Sequence, residues 1–224
     1  MEKMNITGAI FDVDGTLINS LIFWEDFYKR LARDYFPGQD FRIDAELDRK
    51  FRTSPEDKVA ALLHEAYGIG KDAEEILRYF KDLCYLYYRE IVELKDGVRE
   101  LLAALKEKGV RMCIASASEV DYINISLTRL GVRDYFDGII CCSEVGASKE
   151  KPDVFLAAEK FLGTDHESTW IFEDSLTAVK TAKAAGFKVA GIFDENAPGA
   201  AEIESYADEF IGRGGSFKSL IPKL

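Results

Sequence analysis

The chain has 224 residues, of which 47% are hydrophobic and 31% are charged, and its net charge at pH 7 is −11. This suits one globular domain, or one domain with an insert, and the negative charge argues against nucleic acid or an anionic membrane as a partner. The sequence contains no apolar run of about 18 residues, residues 1–5 do not resemble a signal peptide, and the four cysteines lack metal-ligand spacing, so we expect a cytoplasmic protein.

The first predicted element is a buried strand over residues 6–11. Apolar residues at helical spacing then predict three helices, around residues 21–35, 59–67 and 76–91, with a capping sequence at residues 53–56. From residue 97 onward helices alternate with strands over residues 110–115, 137–142, 168–172, 188–193 and 208–211. This rhythm predicts right-handed βαβ units and a parallel sheet.

The predicted fold class is therefore α/β, with a Rossmann-like parallel sheet core and an inserted all-α cap domain. The first strand belongs to the same sheet as the strands after residue 110, so the helical block leaves the core and returns to it. We expect the core to comprise residues 1–18 plus 96–224 and the helical cap to comprise residues 19–95.

Two acidic residues, Asp12 and Asp14, follow the first strand in the string Asp-Val-Asp-Gly-Thr. Carboxylates this close repel each other and lose hydration at a strand end, so we expect a positive partner, most simply a hard divalent cation. Gly15 permits a sharp turn that lets backbone amides approach an anion. The alternative is a strand end followed by an ordinary Asx turn.

The ends of the later strands carry a matching set of polar residues. Ser116 ends the second strand, Lys149 follows the third, and Glu173 and Asp174 end the fourth. Because ligands bind beyond the carboxyl ends of parallel strands, these groups should converge on one mouth, where they supply what phosphoryl transfer requires. Taken singly, Ser116 is more often an ordinary strand-end serine and Lys149 a surface lysine, and the acidic pair could cap the helix that follows.

The order and spacing of these four motifs resemble the haloacid dehalogenase (HAD) superfamily, in the branch with an α-helical cap that contains β-phosphoglucomutase and many sugar-phosphate phosphatases. The resemblance covers essentially the whole chain. It favours Lys149 over Lys151, because the family's lysine lies three residues before the Pro-Asp-x-Phe that opens a helix, here residues 152–155. It implies a Mg²⁺-dependent phosphatase of small phosphorylated metabolites that forms an aspartyl phosphate. A phosphomutase is the alternative, and Asp14 argues against a dehalogenase.

The resemblance also implies roles for individual residues. Asp12 would be the nucleophile, Asp14 the acid and base, and Lys149 the cation that neutralises Asp12 and the phosphoryl group. Mg²⁺ would be held by Asp12, the Asp14 backbone carbonyl and Asp174, with Glu173 as a further ligand or as support for the ligands. The residues implied in phosphate binding are Gly15, Ser116, Ala117 and Lys149.

In the predicted cap, Phe23 and Trp24 are candidate substrate contacts, with helix core as the alternative. A mutase needs a cap group for the distal phosphate, and the two positions where the β-phosphoglucomutase pattern has His and Arg are Trp24 and Pro55 here. Neither side chain binds phosphate, which favours the phosphatase, although Arg52 and Lys58 lie nearby in sequence. We expect a monomer or weak dimer, with a small phosphorylated molecule as the only partner.

Overall fold

The computed structural model describes residues 3–52 and 54–224. The start of the predicted core, residues 1–2, and Thr53 of the predicted capping sequence lie outside the described residues. The contacts divide the chain into two compact units, one of Met1–Leu21 with Val92–Leu224 and the other of Ile22–Ile91.

The second unit is helical. Its helices are α1 (Phe23–Tyr35), α2 (Ala45–Phe51), α3 (Glu56–Tyr67) and α4 (Ala73–Leu86), and a π-helical turn over Tyr87–Ile91 follows α4. The sequence predicted three of these helices and missed α2, which is short and carries few apolar residues. Asp44 begins α2, because its Oδ1 accepts a hydrogen bond of 2.8 Å from the Glu46 amide.

Aromatic side chains form the core of this helical unit. Phe27 is fully buried, and its ring lies 5.0 Å from the ring of Phe80, centroid to centroid. Phe23 stacks on Phe27 at 5.6 Å and meets Tyr87 edge-on at 5.2 Å. Trp24 is half-buried beside them. Edge-on and offset ring contacts of this kind stabilise a core beyond the area they bury.

The other unit is built on a six-stranded sheet. Its strands are β1 (Gly8–Phe11), β2 (Arg111–Ser116), β3 (Gly138–Cys141), β4 (Thr169–Glu173), β5 (Lys188–Ile192) and β6 (Glu209–Ile211). All pairings are parallel and the order is β3-β2-β1-β4-β5-β6. The chain thus runs outward from β1 to β3, returns to place β4 beside β1, and runs outward again. The order of the strands along the chain thus reverses between β1 and β4, and α/β sheets bind ligands beyond the carboxyl ends of their strands at such a point.

Helices cover this sheet: α5 (Val98–Glu107), α6 (Val120–Arg129), α7 (Cys142–Val145), α8 (Asp153–Leu162) and α9 (Leu176–Ala184). Phe155 of α8 and Val179 of α9 pack in one buried cluster with Ile10 and Ile171 of the central strands. Side chains alternate across a sheet, so Phe11 and Phe172 lie on the opposite face, where their rings stack at 4.2 Å. The predicted α/β fold with a parallel sheet is confirmed.

The two chain segments that connect the units pair with each other. Ile18 bridges Leu94 in antiparallel fashion, the Asn19 amide donates to the Glu93 carbonyl at 3.1 Å, and the Lys95 amide donates to the Leu17 carbonyl at 2.9 Å. This pairing explains why residues 19–21 and 92–95, assigned to the cap from sequence, cluster with the α/β unit. That the helical unit acts as a cap stays a prediction.

Candidate active site

Acidic and basic side chains meet at the carboxyl edge of the sheet, where the strand order reverses between β1 and β4. Asp12 follows β1 directly, and its amide donates to the Phe172 carbonyl of β4 at 3.0 Å, which continues the strand pairing up to the nucleophile candidate. Glu173 ends β4 and Asp174 follows it. All three carboxylates are buried, with exposed fractions of 6%, 1% and 3%.

Lys149 reaches this group from the loop between α7 and α8. Its Nζ donates to Asp12 Oδ1 and, at 2.7 Å, to Glu173 Oε2. Burial alone would lower the pKa of Lys149, but the attraction of the two carboxylates outweighs it and raises the pKa, so this side chain is a cation with only 12% of its surface exposed. Lys151, the competing lysine of the sequence analysis, is exposed.

One lysine does not balance three buried carboxylates. Burial raises the pKa of Asp12 to about 8, with Glu173 and Asp14 adding to the shift while Lys149 opposes it. Burial, and then repulsion from Glu173 and Asp12, also raises the pKa of Asp174 well above its usual value. The site therefore holds more carboxyl groups than Lys149 alone can keep ionised, and a bound cation would favour their charged form.

Oxygen atoms of Asp12, Glu173 and Asp174 all lie within 4.8 Å of one another. A compact set of carboxylate oxygens suits a hard divalent ion, which takes oxygen ligands at about 2.0–2.6 Å. The cluster thus fits a metal ion in geometry and in charge. It includes Glu173 and not the carboxylate of Asp14, of which the sequence analysis implied only the backbone carbonyl as a ligand.

Asp14 projects to a separate set of partners. Ser20 Oγ donates to its Oδ1 at 2.6 Å, and Ser118 Oγ donates to its Oδ2 at 2.6 Å. The sequence analysis assigned no role to either serine. A signal was present for Ser118, which stands two residues after Ser116 at the end of β2.

Gly15 lets the β1 loop approach Asp174 closely. Its φ is +75°, and a Cβ at this position would lie 2.2 Å from Asp174 Oδ2. Thr16, which the sequence analysis also passed over, donates from Oγ1 to Asp174 Oδ1 at 2.8 Å and is fully buried. The loop after β1 therefore fixes the position of a carboxylate in the loop after β4.

The remaining predicted residues are distributed as follows. Ser116 is buried, at 1% exposed, and its Oγ accepts from the Ser118 amide at 3.1 Å. Because this bond uses an oxygen lone pair, the Ser116 hydroxyl proton remains for donation to an anion. Ala117 is exposed. Phe23 and Trp24, the predicted substrate contacts, both belong to the aromatic core of the helical unit, with Trp24 the less buried of the two.

The fold and these residues define an α/β enzyme with a charged site at the carboxyl edge of its sheet. The family model described as haloacid dehalogenase-like hydrolase matches residues 9–192, and the chain belongs to this family. The resemblance inferred from the four motifs is thereby confirmed.

Three relatives illustrate the branch. A phosphorylated carbohydrates phosphatase of Thermotoga maritima is 28% identical over 200 residues, covering 89% of this chain and 91% of that protein. Hexitol phosphatase B of Escherichia coli K12 is 29% identical over 190 residues, covering 80% of each chain. The crystal structure of a candidate β-phosphoglucomutase from Thermotoga maritima superposes with a TM-score of 0.73 at 26% identity, covering 94% of each chain. The chain is thus a hydrolase of the β-phosphoglucomutase-like branch.

Within residues 3–52 and 54–224, no helix has the length and apolar character needed to cross a membrane.

Proposed function

We propose that this protein is a Mg²⁺-dependent phosphatase of small phosphorylated carbohydrates or polyols that works through an aspartyl phosphate on Asp12. The observation that carries the proposal is the contact of Lys149 with Asp12 and Glu173, together with the cluster of three buried carboxylates that includes both acids. A nucleophilic carboxylate, a fixed cation and a metal cage are what phosphoryl transfer needs, because its catalysis consists mostly of positioning and charge stabilisation.

Lys149 has two tasks in this proposal. Before substrate arrives it orients Asp12 and opposes the effect of burial, which raises the pKa of this carboxyl group. With substrate bound, the same ammonium neutralises the phosphoryl oxygens. The Ser116 hydroxyl, the Ala117 amide and the turn at Gly15 contribute further donors to these oxygens.

Asp12, the backbone carbonyl of Asp14 and Asp174 are proposed to hold Mg²⁺. Glu173 supports them indirectly, because its Oε2 is occupied by Lys149 at 2.7 Å and its Oε1 accepts from the Ser175 amide at 3.0 Å. When bound, the ion shields the negative charge of Asp12 and of the phosphoryl group from each other.

The reaction then has two steps. An Asp12 oxygen attacks phosphorus, the bond from phosphorus to the ester oxygen breaks, and Asp14 gives its proton to the leaving alkoxide. Asp14 next takes a proton from water as that water attacks the aspartyl phosphate, which releases inorganic phosphate and restores Asp12. The proton that Asp14 loses in the first step is thus regained in the second.

The substrate class is supported by the relatives, whose names include a phosphatase of phosphorylated carbohydrates and a hexitol phosphatase. A net charge of −11 disfavours a large polyanion and leaves attraction of the substrate to local groups such as Lys149. In the helical unit, which we propose acts as the specificity cap, Trp24 suits contact with a sugar ring.

Hydrolysis is favoured over a mutase by the surroundings of Arg52. The Arg52 guanidinium lies 5.6 Å from the centre of the Trp24 ring, and its Nε donates to both Asp48 oxygens at 3.0 Å. A cation held by a carboxylate in this way is a poor anchor for a second phosphate. The test is β-glucose 1-phosphate with a trace of the 1,6-bisphosphate: we expect inorganic phosphate, and accumulation of glucose 6-phosphate would show a mutase.

The experiment for the whole proposal is a phosphate-release screen over phosphorylated sugars, polyols and nucleotides, with Mg²⁺ and with excess chelator. We expect turnover of the sugar and polyol esters that disappears with chelator and in Asp12→Asn, an amide of the same volume. Metal-independent turnover, or an active Asp12→Asn enzyme whose melting temperature matches that of the wild type, would refute the proposal.

A further inference from the structure

The carboxyl group of Asp14 is held by two serines from different parts of the α/β unit. Ser20 Oγ contacts Oδ1 and Ser118 Oγ contacts Oδ2, each at 2.6 Å. Ser20 precedes the helical unit, whereas Ser118 belongs to the loop between β2 and α6. Two short hydroxyl contacts on opposite oxygens restrict rotation of the carboxyl group about both of its side-chain torsions.

Ser118 is itself held on two further sides. Its amide donates to Ser116 Oγ at 3.1 Å, and its carbonyl accepts from Cys141 Sγ at 3.3 Å. Burial, with repulsion from Glu144 and Glu119, raises the pKa of the Cys141 thiol to about 12, so this group keeps its proton and stays a donor at neutral pH. Hydrogen bonds at both N–H and C=O hold the Ser118 backbone in place, and from this position the hydroxyl donates to Asp14.

We propose that Ser118 is a positioning residue for Asp14, holding the carboxyl group where it exchanges its proton with the leaving oxygen. This rests on the proposed function, in which Asp14 is the acid and base. A hydroxyl suits the task because it donates to a carboxylate and accepts from a carboxylic acid.

The inference predicts a dependence on the leaving group. An alkyl phosphate such as a sugar phosphate releases a basic alkoxide that needs the proton of Asp14. p-Nitrophenyl phosphate releases an anion that is stable at neutral pH, so its departure needs no acid. The ratio kcat/KM reports the steps up to departure of the leaving group, so a displaced Asp14 should lower this ratio for the alkyl ester alone.

The test compares Ser118→Ala, Ser118→Thr and wild type on the best sugar phosphate of the screen and on p-nitrophenyl phosphate, at saturating Mg²⁺. We expect Ser118→Ala to lower kcat/KM roughly tenfold for the sugar phosphate, as loss of one hydrogen bond to a charged group implies. The p-nitrophenyl ester should change less than about twofold, because acid catalysis does not contribute to its departure. Ser118→Thr restores the hydroxyl and should restore the sugar phosphate rate. Ser143→Ala, which removes an exposed hydroxyl on α7, is the matched control.

Equal losses of kcat/KM on both esters, with weaker competitive inhibition by inorganic phosphate, would mean that Ser118 binds phosphate and would overturn the inference. An unchanged kcat/KM on both esters would also overturn it. If Ser118→Ala does not fold, Ser118→Cys supplies the same comparison with a poorer donor. Asp14→Ala separates this inference from the proposed function. If Asp14→Ala does not discriminate between the esters, the acid role of Asp14 fails. If it discriminates and Ser118→Ala does not, only the role of Ser118 fails.

Discussion

Thr16→Val is the substitution that most directly probes how the β1 loop supports the metal cluster. Thr16 is fully buried, and its hydroxyl donates to Asp174 Oδ1 at 2.8 Å. Valine has the same shape but puts a methyl group where the hydroxyl was. The substitution therefore removes one hydrogen bond from a carboxylate that is only 3% exposed and leaves the volume of the side chain unchanged.

Two effects of similar size follow. An oxygen left without its donor in a buried site costs about 1–3 kcal/mol of folding free energy. Loss of a group that orients a metal ligand lowers metal affinity about 10- to 100-fold, equivalent to about 1.4–2.8 kcal/mol. We expect Thr16→Val to need 10- to 100-fold more Mg²⁺ for half-maximal activity, while activity at saturating Mg²⁺ falls much less.

The assay is phosphate release titrated with Mg²⁺, alongside urea unfolding with and without the ion. Thr16→Ser is the matched control, because it keeps the hydroxyl and loses a methyl group, at about 1 kcal/mol of folding free energy. We expect Thr16→Ser to lose stability without losing Mg²⁺ affinity. If Thr16→Val and wild type gave the same Mg²⁺ titration, the orienting role of the Thr16 hydroxyl would be refuted.

Three further outcomes are expected. Lys149→Met keeps the apolar stem but leaves buried carboxylates unpaired. Urea unfolding at pH 8 without metal should show a decrease of about 3–5 kcal/mol in the free energy of unfolding, and phosphatase activity should vanish. Unchanged stability would mean that the ion pairs of Lys149 do not stabilise the fold. Gly15→Ala places a Cβ 2.2 Å from Asp174 Oδ2 at a φ of +75°. It should lower the free energy of unfolding by about 1–3 kcal/mol in the same urea assay and should weaken Mg²⁺ binding. A Mg²⁺ titration identical to that of the wild type would contradict the close approach. In the metal-free protein the folded-state pKa of Asp12 is raised from 3.8 to about 8. The contribution of the protonated Asp12 side chain to stability is therefore complete below pH 3.8 and is lost as pH rises through about 8. Mg²⁺ should accordingly raise the melting temperature more at pH 8 than at pH 5, and Asp12→Asn should reduce that difference.

The residues at the strand ends could be predicted to meet because the topology of a parallel sheet forces it. Asp12 and Glu173 end strands that pair directly, with Phe11 in register with Phe172. Periodicity identified both strands, so convergence of the two acids followed from the sequence. The choice of Lys149 over Lys151 came from spacing within a family pattern, and the structure places the side chain of Lys149 against Asp12.

The supporting contacts could not be predicted in the same way. Thr16 and Ser118 reach partners in the loops after other strands, at Asp174 and Asp14. The direction of a hydroxyl depends on the fold around it rather than on its neighbours in sequence. Helix α2 was missed for a related reason. Phe51 is its one buried residue, and its start depends on the cap by Asp44 more than on an apolar stripe.

The bounds of the two units show the same limit. The predicted pattern changes near residue 18, where the first strand gives way to helices, and near residue 96, where the helices give way to alternating helices and strands. The contacts change closer to the helices, because the Ile18–Leu94 bridge ties both connecting segments to the α/β unit. A short pairing between segments far apart in sequence leaves no periodic signal.

The claim on which the account depends most is that Asp12 carries the phosphoryl group between the two steps. Asp14→Ala enzyme mixed with p-nitrophenyl phosphate and Mg²⁺ should form the intermediate, since this leaving group needs no acid, and should hydrolyse it slowly, since the base is gone. After acid quench and proteolysis, mass spectrometry should find one phosphoryl group on the peptide that contains Asp12. Hydroxylamine should remove this group, and it should be absent from the double variant that carries both Asp14→Ala and Asp12→Asn. Release of p-nitrophenol with no phosphoryl group on that peptide, or with the group on another residue, would contradict the mechanism.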